Sequence, residues 1–269
     1  YTNKAIINLT LGTAKVDLKT DTFYGIDNAI GTSQADTIYG GAGVNTIFAG
    51  AGADTIYSGS GADTIYGQDG DDYIYMQSVE NAASNFVDGG TGFDTVDYTG
   101  LAEQIVVNMQ GVTEVKVQVG NTANHHTITN IENVIGSSHN DTISGNSGIN
   151  TLIGGAGNDK FVATKGSDTY YGGILAGTTH TVANGESNSV DYSNASKVYV
   201  DLSSTTTDAN GNNYSQALKS NSSTNDGFSS NIESTDSLYG IANIKGSSSF
   251  DTLIGNELSR SEEHTSELQ

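Results

Sequence analysis

Cysteine is absent from this 269-residue chain, so neither disulfides nor thiolate metal sites hold it together. That absence does not place it in a reducing compartment, because a secreted chain stabilised by hard cations needs no bridges. Basic residues are scarce: 10 Lys and Arg stand against 31 Asp and Glu, a net charge of −21. A nucleic-acid site needs a basic patch, so phosphate-backbone binding is excluded as a main activity. No apolar run approaches the roughly 18 residues of a membrane-spanning helix. The sequence contains no H-E-x-x-H zinc motif and no G-x-S-x-G nucleophile elbow. With no cysteine nucleophile either, the chain reads as non-catalytic, and any catalytic part lies outside it. Tyr1 opens the sequence without Met or a signal-peptide pattern, so it reads as a fragment.

What is abundant is glycine, 34 of 269 residues, about twice the usual share of ~7%. Long runs of Ser, Thr, Asn and Asp accompany it, a composition that could pass for disorder. A strict period argues otherwise. Residues 31 to 75 cut into GTSQADTIY, GGAGVNTIF, AGAGADTIY, SGSGADTIY and GQDGDDYIY without a slip. The sixth position holds Asp36, Asn45, Asp54, Asp63 and Asp72, and the eighth holds Ile38, Ile47, Ile56, Ile65 and Ile74. Gly43, Gly52, Gly61 and Gly70 fill the fourth. Disorder does not keep an isoleucine every nine residues.

The pattern returns as GSSHNDTIS, GNSGINTLI, GGAGNDKFV and ATKGSDTYY at 136–171, and begins again at residue 246. With GGTGFDTVD at 89–97, eleven nonapeptides can be phased. Each block follows a β-like stretch and a lead-in: AIINLTLGTAKVDLKT then FYGIDNAIGT; IVVNMQGVTEVKVQV then ITNIENVIG; VYVDL then LYGIANIKG. Gly12 reads as the turn of the first stretch, and Val115, Val117 and Val119 alternate with polar residues in the second. Asp36, Asp141 and Asp251 lie 105 and 110 residues apart (141 − 36 and 251 − 141), which suggests three related modules: 1–98, 99–192 and a truncated 193–258. Residues 76–88 and 174–188 interrupt the coil, the first as a short helical turn or bulging loop, the second as a loop insertion. The tail 259–269 does not continue the repeat and reads as non-native.

In each nine, six residues must turn and three can form a strand. Two nines make a coil, so alternate repeats stack at ~4.8 Å and the eighth residue points inward. The resulting core is one aliphatic side chain thick, too thin to offset the ordering cost of so much glycine. Aligned carboxylates and carbonyls offer the hard oxygens that Ca²⁺ prefers, whereas Mg²⁺ demands a tighter octahedron.

These repeats resemble the RTX, or haemolysin-type calcium-binding, nonapeptide family. The resemblance implies an all-β fold, a right-handed parallel β-roll (β-solenoid) in blocks with antiparallel β segments between them. It also implies ions held between loops two repeats apart, by carbonyls at positions 2 and 4 and the Asp of one loop, and by carbonyls at 1 and 3 and the Asp of the next. Carried over, one site takes Gly41, Gly43 and Asn45 with Ser58, Ser60 and Asp63. A second takes Gly50, Gly52 and Asp54 with Gly67, Asp69 and Asp72, and a third Thr32, Gln34 and Asp36 with Ala49, Ala51 and Asp54. In the second block the sets are Ser137, His139 and Asp141 with Gly154, Ala156 and Asp159, and Asn146, Gly148 and Asn150 with Ala163, Lys165 and Asp168. Gln34, His139 and Ser249 replace the fourth glycine in the first loop of each block, and Asn45 and Asn150 each remove a charge, so those loops should bind weakly. The expectation is about three to five Ca²⁺ ions.

Position 9 faces outward, so Tyr39, Tyr57 and Tyr75 should form one aromatic ladder and Phe48 and Tyr66 another. Such rows could stack on sugars, giving a polysaccharide or cell-surface partner, or simply favour β structure. His125 and His126, adjacent on a strand, read as solvent-exposed. The resemblance implies a secreted, bacterial-type extracellular protein exported by type I secretion, in which calcium drives folding of a structural or adhesin-like module. The alternative is an accessory region of a larger secreted protease, lipase or alginate epimerase.

Overall fold

The computed structural model describes residues 3–77, 84–111, 113–121, 125–183, 185–220, 232–248 and 251–255. Among these all regular structure is strand. The tail 259–269 and Ser249 lie outside the described residues. Two compact units are present, one of residues 1–107 and 112–137, the other of 108–111 and 138–269.

In the first unit each nonapeptide gives a strand beginning at its seventh residue. Thr37–Tyr39, Thr55–Tyr57 and Tyr73–Gln77 pair in parallel, with Ile38 beside Ile56 and Ile56 beside Ile74. Thr46–Ala51 and Thr64–Asp69 form the facing sheet, with Ile47 beside Ile65. Alternate repeats therefore share a sheet and a coil is eighteen residues (56 − 38). Ile38, Ile47, Ile56, Ile65 and Ile74 are all 0% exposed, which makes this the parallel β-roll that the period predicts.

The roll does not stop at Tyr75. Phe86–Thr91 pairs with Thr64–Asp69 and Thr95–Gly100 with Tyr73–Gln77, placing Val87 and Val96 in the same core. The pairing offset is now 22 residues (87 − 65). The expected break at 76–88 thus adds four residues to one coil without ending the stack, and residues 78–83, within the expected helical turn or bulging loop, lie outside the described residues. The 89–97 repeat, which the sequence leaves without a partner in phase, sits on the 67–75 repeat.

Antiparallel strands close this unit. Ala5–Asn8 adds in parallel to Thr37–Tyr39 and then folds back through Thr13–Val16 and Lys19–Thr22. Ile105–Asn108, Val115–Val119 and His125–Thr129 form an antiparallel set that joins the roll at Phe86–Thr91. Val115, Val117 and Val119 are buried, as their alternation predicts. His126 lies opposite Val117 and is 0% exposed. The solvent-exposed reading of this histidine is therefore corrected; the side chain of His125 lies outside the described residues.

The second unit repeats the plan with a bulkier interior. Thr142–Ser144, Lys160–Val162 and Ser189–Asp191 stack in one sheet, and Thr151–Ile153, Thr169–Tyr171 and the end of Ile232–Tyr239 in the other. Ile143, Leu152, Phe161, Tyr170 and Val190 fill the core at 0% exposure. Part of the supposed loop at 174–188 is a small antiparallel hairpin, Ile174–Ala176 with Thr179–Thr181. Lys197–Asp201, Asn213–Ser220 and Ile232–Tyr239 make an antiparallel set. All three lead-in motifs place one residue in the left-handed region at the same point: Gly25 (φ 65°), Asn130 (φ 50°) and Gly240 (φ 63°). Glycine and asparagine are the residues that tolerate it.

Candidate metal centre

The sixth residue of every repeat turns inward at the loop edge, and its carboxylate or amide ties successive coils. In Asp54, Asp63, Asp72, Asp94, Asp159 and Asp168 one oxygen accepts the backbone N–H of the sixth residue one coil earlier. In the first unit Asp36 N–H donates to Asp54 Oδ1 at 2.6 Å, Asp54 N–H to Asp72 Oδ1 at 2.8 Å, and Asp72 N–H to Asp94 Oδ1 at 2.8 Å. The opposite edge runs from Asn45 through Asp63 to Asn85, at 2.8 and 2.7 Å. In the second unit Asp141 N–H donates to Asp159 Oδ1, Asp159 N–H to Asn188 Oδ1, and Asn150 N–H to Asp168 Oδ1.

The other oxygen behaves differently along the ladder. Oδ2 of Asp54, Asp63, Asp72, Asp94 and Asp159 is buried and accepts no hydrogen bond among the described residues. A buried carboxylate oxygen without a donor is costly, because water has been removed and nothing replaces it. Burial accordingly pushes the carboxyls up, to about 6 for Asp54, Asp63 and Asp94 and about 7 for Asp72 and Asp159. Neighbouring carboxylates add to the shift at Asp72, where Asp54, Asp94 and Asp71 all repel the charge.

The surroundings fit a hard cation. Glycine at position 1 lets the orphaned oxygen tuck against bare backbone: a Cβ on Gly67 would collide with Asp72 Oδ2, and one on Gly154 with Asp159 Oδ2. Position 4 works likewise between coils. Gly61 (φ 124°) and Gly70 (φ 130°) lie directly on the carbonyl oxygens of Gly43 and Gly52, one pair at each loop edge. The carbonyls of Thr32, Gly41 and Asp69 each accept one N–H from an adjoining coil, from Ala51, Ser60 and Gly52, and keep a second lone pair. Among the described residues no three His, Cys, Asp or Glu side chains converge as a metal cluster. The donor set is therefore paired carboxylates or amides plus main-chain carbonyls, which suits an all-oxygen ion such as Ca²⁺ and not zinc.

Not every predicted site residue shares this arrangement. Asp36 has both oxygens engaged, Oδ1 by Ala5 N–H and Oδ2 by Thr32 N–H, each at 2.5 Å, and Gln34 is exposed. Asn45 and Asn150 accept the N–H of Gly41 and Asn146 in their own loops, at 2.7 and 2.9 Å. Asp69 directs an exposed side chain to Thr91 Oγ1, so only its carbonyl faces the stack. Gly52, Ser58, Ser60, Gly148 and Ala156 lie on the loops that flank the ladder, and Gly50 near the end of the strand Thr46–Ala51. Ser137 falls in the first unit and His139 in the second; His139 and Lys165 are exposed, and Ala163 is buried. Asp168 binds Thr164 Oγ1 and the Tyr170 hydroxyl through Oδ2, at 2.9 and 3.1 Å. The sequence reading missed Asn85, Asn188 and Asp236, and did not place Asp94 in the stack. Each has an apolar residue two positions on, Val87, Val190, Leu238 and Val96, which is the signal that could have found them.

Both aromatic ladders exist. Tyr39, Tyr57 and Tyr75 stack at 4.6 Å between centroids with planes within 6°, and Phe48 stacks on Tyr66 at 4.8 Å. The rings cover one another's faces, which leaves mainly edges for any sugar. His126 packs 5.8 Å from Tyr98 in the core, and burial lowers its pKa to about 4.

The family model for the RTX calcium-binding nonapeptide repeat matches the chain in four copies, over residues 21–56, 48–75 and 135–173. No curated protein matches it.

Proposed function

We propose, from the premise that this chain carries RTX calcium-binding nonapeptide repeats, that calcium closes the loop edges of its β-rolls and thereby drives folding outside the cell. The observation that carries this reading is the row of buried, donor-less Oδ2 atoms on Asp54, Asp63, Asp72, Asp94 and Asp159. Asp54 with Asp72, Asp72 with Asp94, Asp63 with Asn45 or Asn85, and Asp159 with Asp141 or Asn188 would hold the ions, together with carbonyls of their loops. Bound calcium supplies positive charge and accepts about six to eight oxygen ligands. The chain's own residues do the rest. Oδ1 of each ladder residue fixes the stacking distance, glycine lets carbonyls approach, and the isoleucine column sets the register. With the carboxylates uncompensated, like charges one coil apart oppose compaction. The extracellular affinity range of ~10⁻⁴ to 10⁻³ M suits a switch between a low-calcium interior and a calcium-rich exterior.

Under this reading the protein leaves the cell by type I secretion and serves as a structural or adhesin-like module, built from three successive modules with about three to five ions. The stacked ring faces of Tyr39, Tyr57 and Tyr75 support a load-sharing role for the ladder within the sheet. Far-UV circular dichroism during a calcium titration, with an EDTA control, tests the proposal. Strand signal should rise with calcium and fall in EDTA. A spectrum already complete in EDTA would refute calcium-driven folding.

A further inference from the structure

Asp168 and Asp236 are consecutive rungs of one ladder, although 68 residues separate them. Asp168 N–H donates to Asp236 Oδ1 at 2.9 Å, and Thr169–Tyr171 pairs in parallel with Ser237–Tyr239. By analogy with the other rungs, the gap between these two loops is a cation position. It is filled by Lys219. The ammonium arrives from the strand Asn213–Ser220, which runs antiparallel to Ile232–Tyr239, and the residue is 3% exposed.

Its three protons are fully used. Nζ donates to the carbonyls of Thr164 and Gly166, at 2.8 and 2.5 Å, and to Asp236 Oδ1 at 2.6 Å, and it lies 3.8 Å from Asp168 Oδ2. Thr164 and Gly166 are positions 2 and 4 of the 163–171 repeat, and Asp168 is its position 6. The contact set is thus two loop carbonyls, the Asp of that loop and the Asp of the next coil. Tyr192 completes the satisfaction of Asp236 through its hydroxyl at 3.0 Å from Oδ2. Neither Asp168 nor Asp236 has a buried oxygen without a partner, unlike Asp54, Asp63, Asp72, Asp94 and Asp159.

We infer that Lys219 is a tethered cation standing where the repeat would otherwise take a metal ion, so that the 163–168 loop and Asp236 close without calcium. A compact ammonium with three donors meets carbonyls and carboxylates from one side, and being part of the chain it cannot be chelated. A cavity of about 270 Å³, lined in part by Thr164, Lys165, Lys219 and Glu233, gives an ion room to reach the position once the ammonium is gone.

The test uses the full chain. Hydrogen exchange in EDTA should leave the amides of Asp168 and Ser237 protected while those of Asp54, Asp63 and Asp72 exchange freely. Equal exchange at both sets would overturn the inference. In equilibrium dialysis with calcium alone, Lys219→Ala should bind about one more ion per chain than wild type, whereas Lys219→Met, which fills the space with an apolar chain, should gain none. An unchanged ion count in folded Lys219→Ala would also overturn it. If Lys219→Ala folds under no condition, the exchange experiment on the wild type decides. The inference rests on the calcium reading of the other loops, yet the two fail separately: no calcium uptake by wild type sinks that reading, while protection at Asp168 concerns Lys219 alone.

Discussion

Asp72 and Asp168 occupy the same place in the same repeat, one in each unit. Both are 1% exposed, and each accepts through Oδ1 the N–H of a ladder residue one coil earlier, at 2.8 and 3.0 Å. They part at the second oxygen. Asp72 Oδ2 meets no donor, and burial with three neighbouring carboxylates pushes the group up to about 7. Asp168 Oδ2 meets a threonine hydroxyl, a tyrosine hydroxyl and a distant ammonium. Under the proposed calcium reading one backbone plan has two ways of answering the charge it buries: an external ion, or side chains brought from elsewhere in the chain. The first makes a loop conditional on its medium, and the second makes it permanent.

The comparison can be broken most severely at Lys219. Replacing it with Met leaves Asp236 buried beside Asp168 with no counter-charge, which should cost about 3–5 kcal/mol. Urea denaturation should show that loss in calcium and in EDTA alike. Truncating the core tests what the units share. Ile56→Ala and Leu152→Ala, both at 0% exposure, should each cost about 2–5 kcal/mol in saturating calcium. Asp72→Asn sharpens the contrast in the opposite sense: it should raise the calcium midpoint at least tenfold, about 1.4 kcal/mol, while making the calcium-free chain easier to fold.

Acidity probes the loops of both units whose Oδ2 meets no donor. Asp54, Asp63, Asp72, Asp94 and Asp159 titrate higher when folded, at about 6 to 7, than their ordinary value of 3.8. Without metal the fold then holds more protons than the unfolded chain, so this stability is present at low pH and is lost as pH rises through 6 and 7. In EDTA the urea midpoint should be higher at pH 5 than at pH 8. With calcium the order should reverse, since ligands must ionise to bind. The smallest effect expected is from Tyr57→Ala, about 1 kcal/mol for two lost ring stacks, read as a shift in thermal midpoint.

The isoleucine column and the aspartate ladder from 31 to 75 were legible because nothing interrupts the period there. A residue type that recurs every nine positions in five successive copies fixes the length of the coil and the residue that faces inward. Asn85 escaped notice because four extra residues precede it, and Asn188 and Asp236 because longer insertions shift them out of phase. His126 was misjudged since its neighbour suggested exposure, whereas the inward phase is set by its partner Val117 on the next strand. Lys219 could not have been found by period at all. It reaches carbonyls 53 and 55 residues away, a relation that exists only once the antiparallel strands are laid down.

Those irregular spacings have a consequence of their own. A stack of near-identical coils has no unique alignment, because sliding by one coil exchanges each isoleucine for another and forfeits only the contacts at the ends. Repeat arrays are prone to such mispairing. Here the step between bonded rungs is 18 residues at Asp54 and Asp72, 22 at Asp72 and Asp94, 29 at Asp159 and Asn188, and 68 at Asp168 and Asp236. A slipped pairing would have to drag an insertion into the coil or leave a gap. The interruptions act like the uneven teeth of a key, giving a monotonous sequence one position in which it locks.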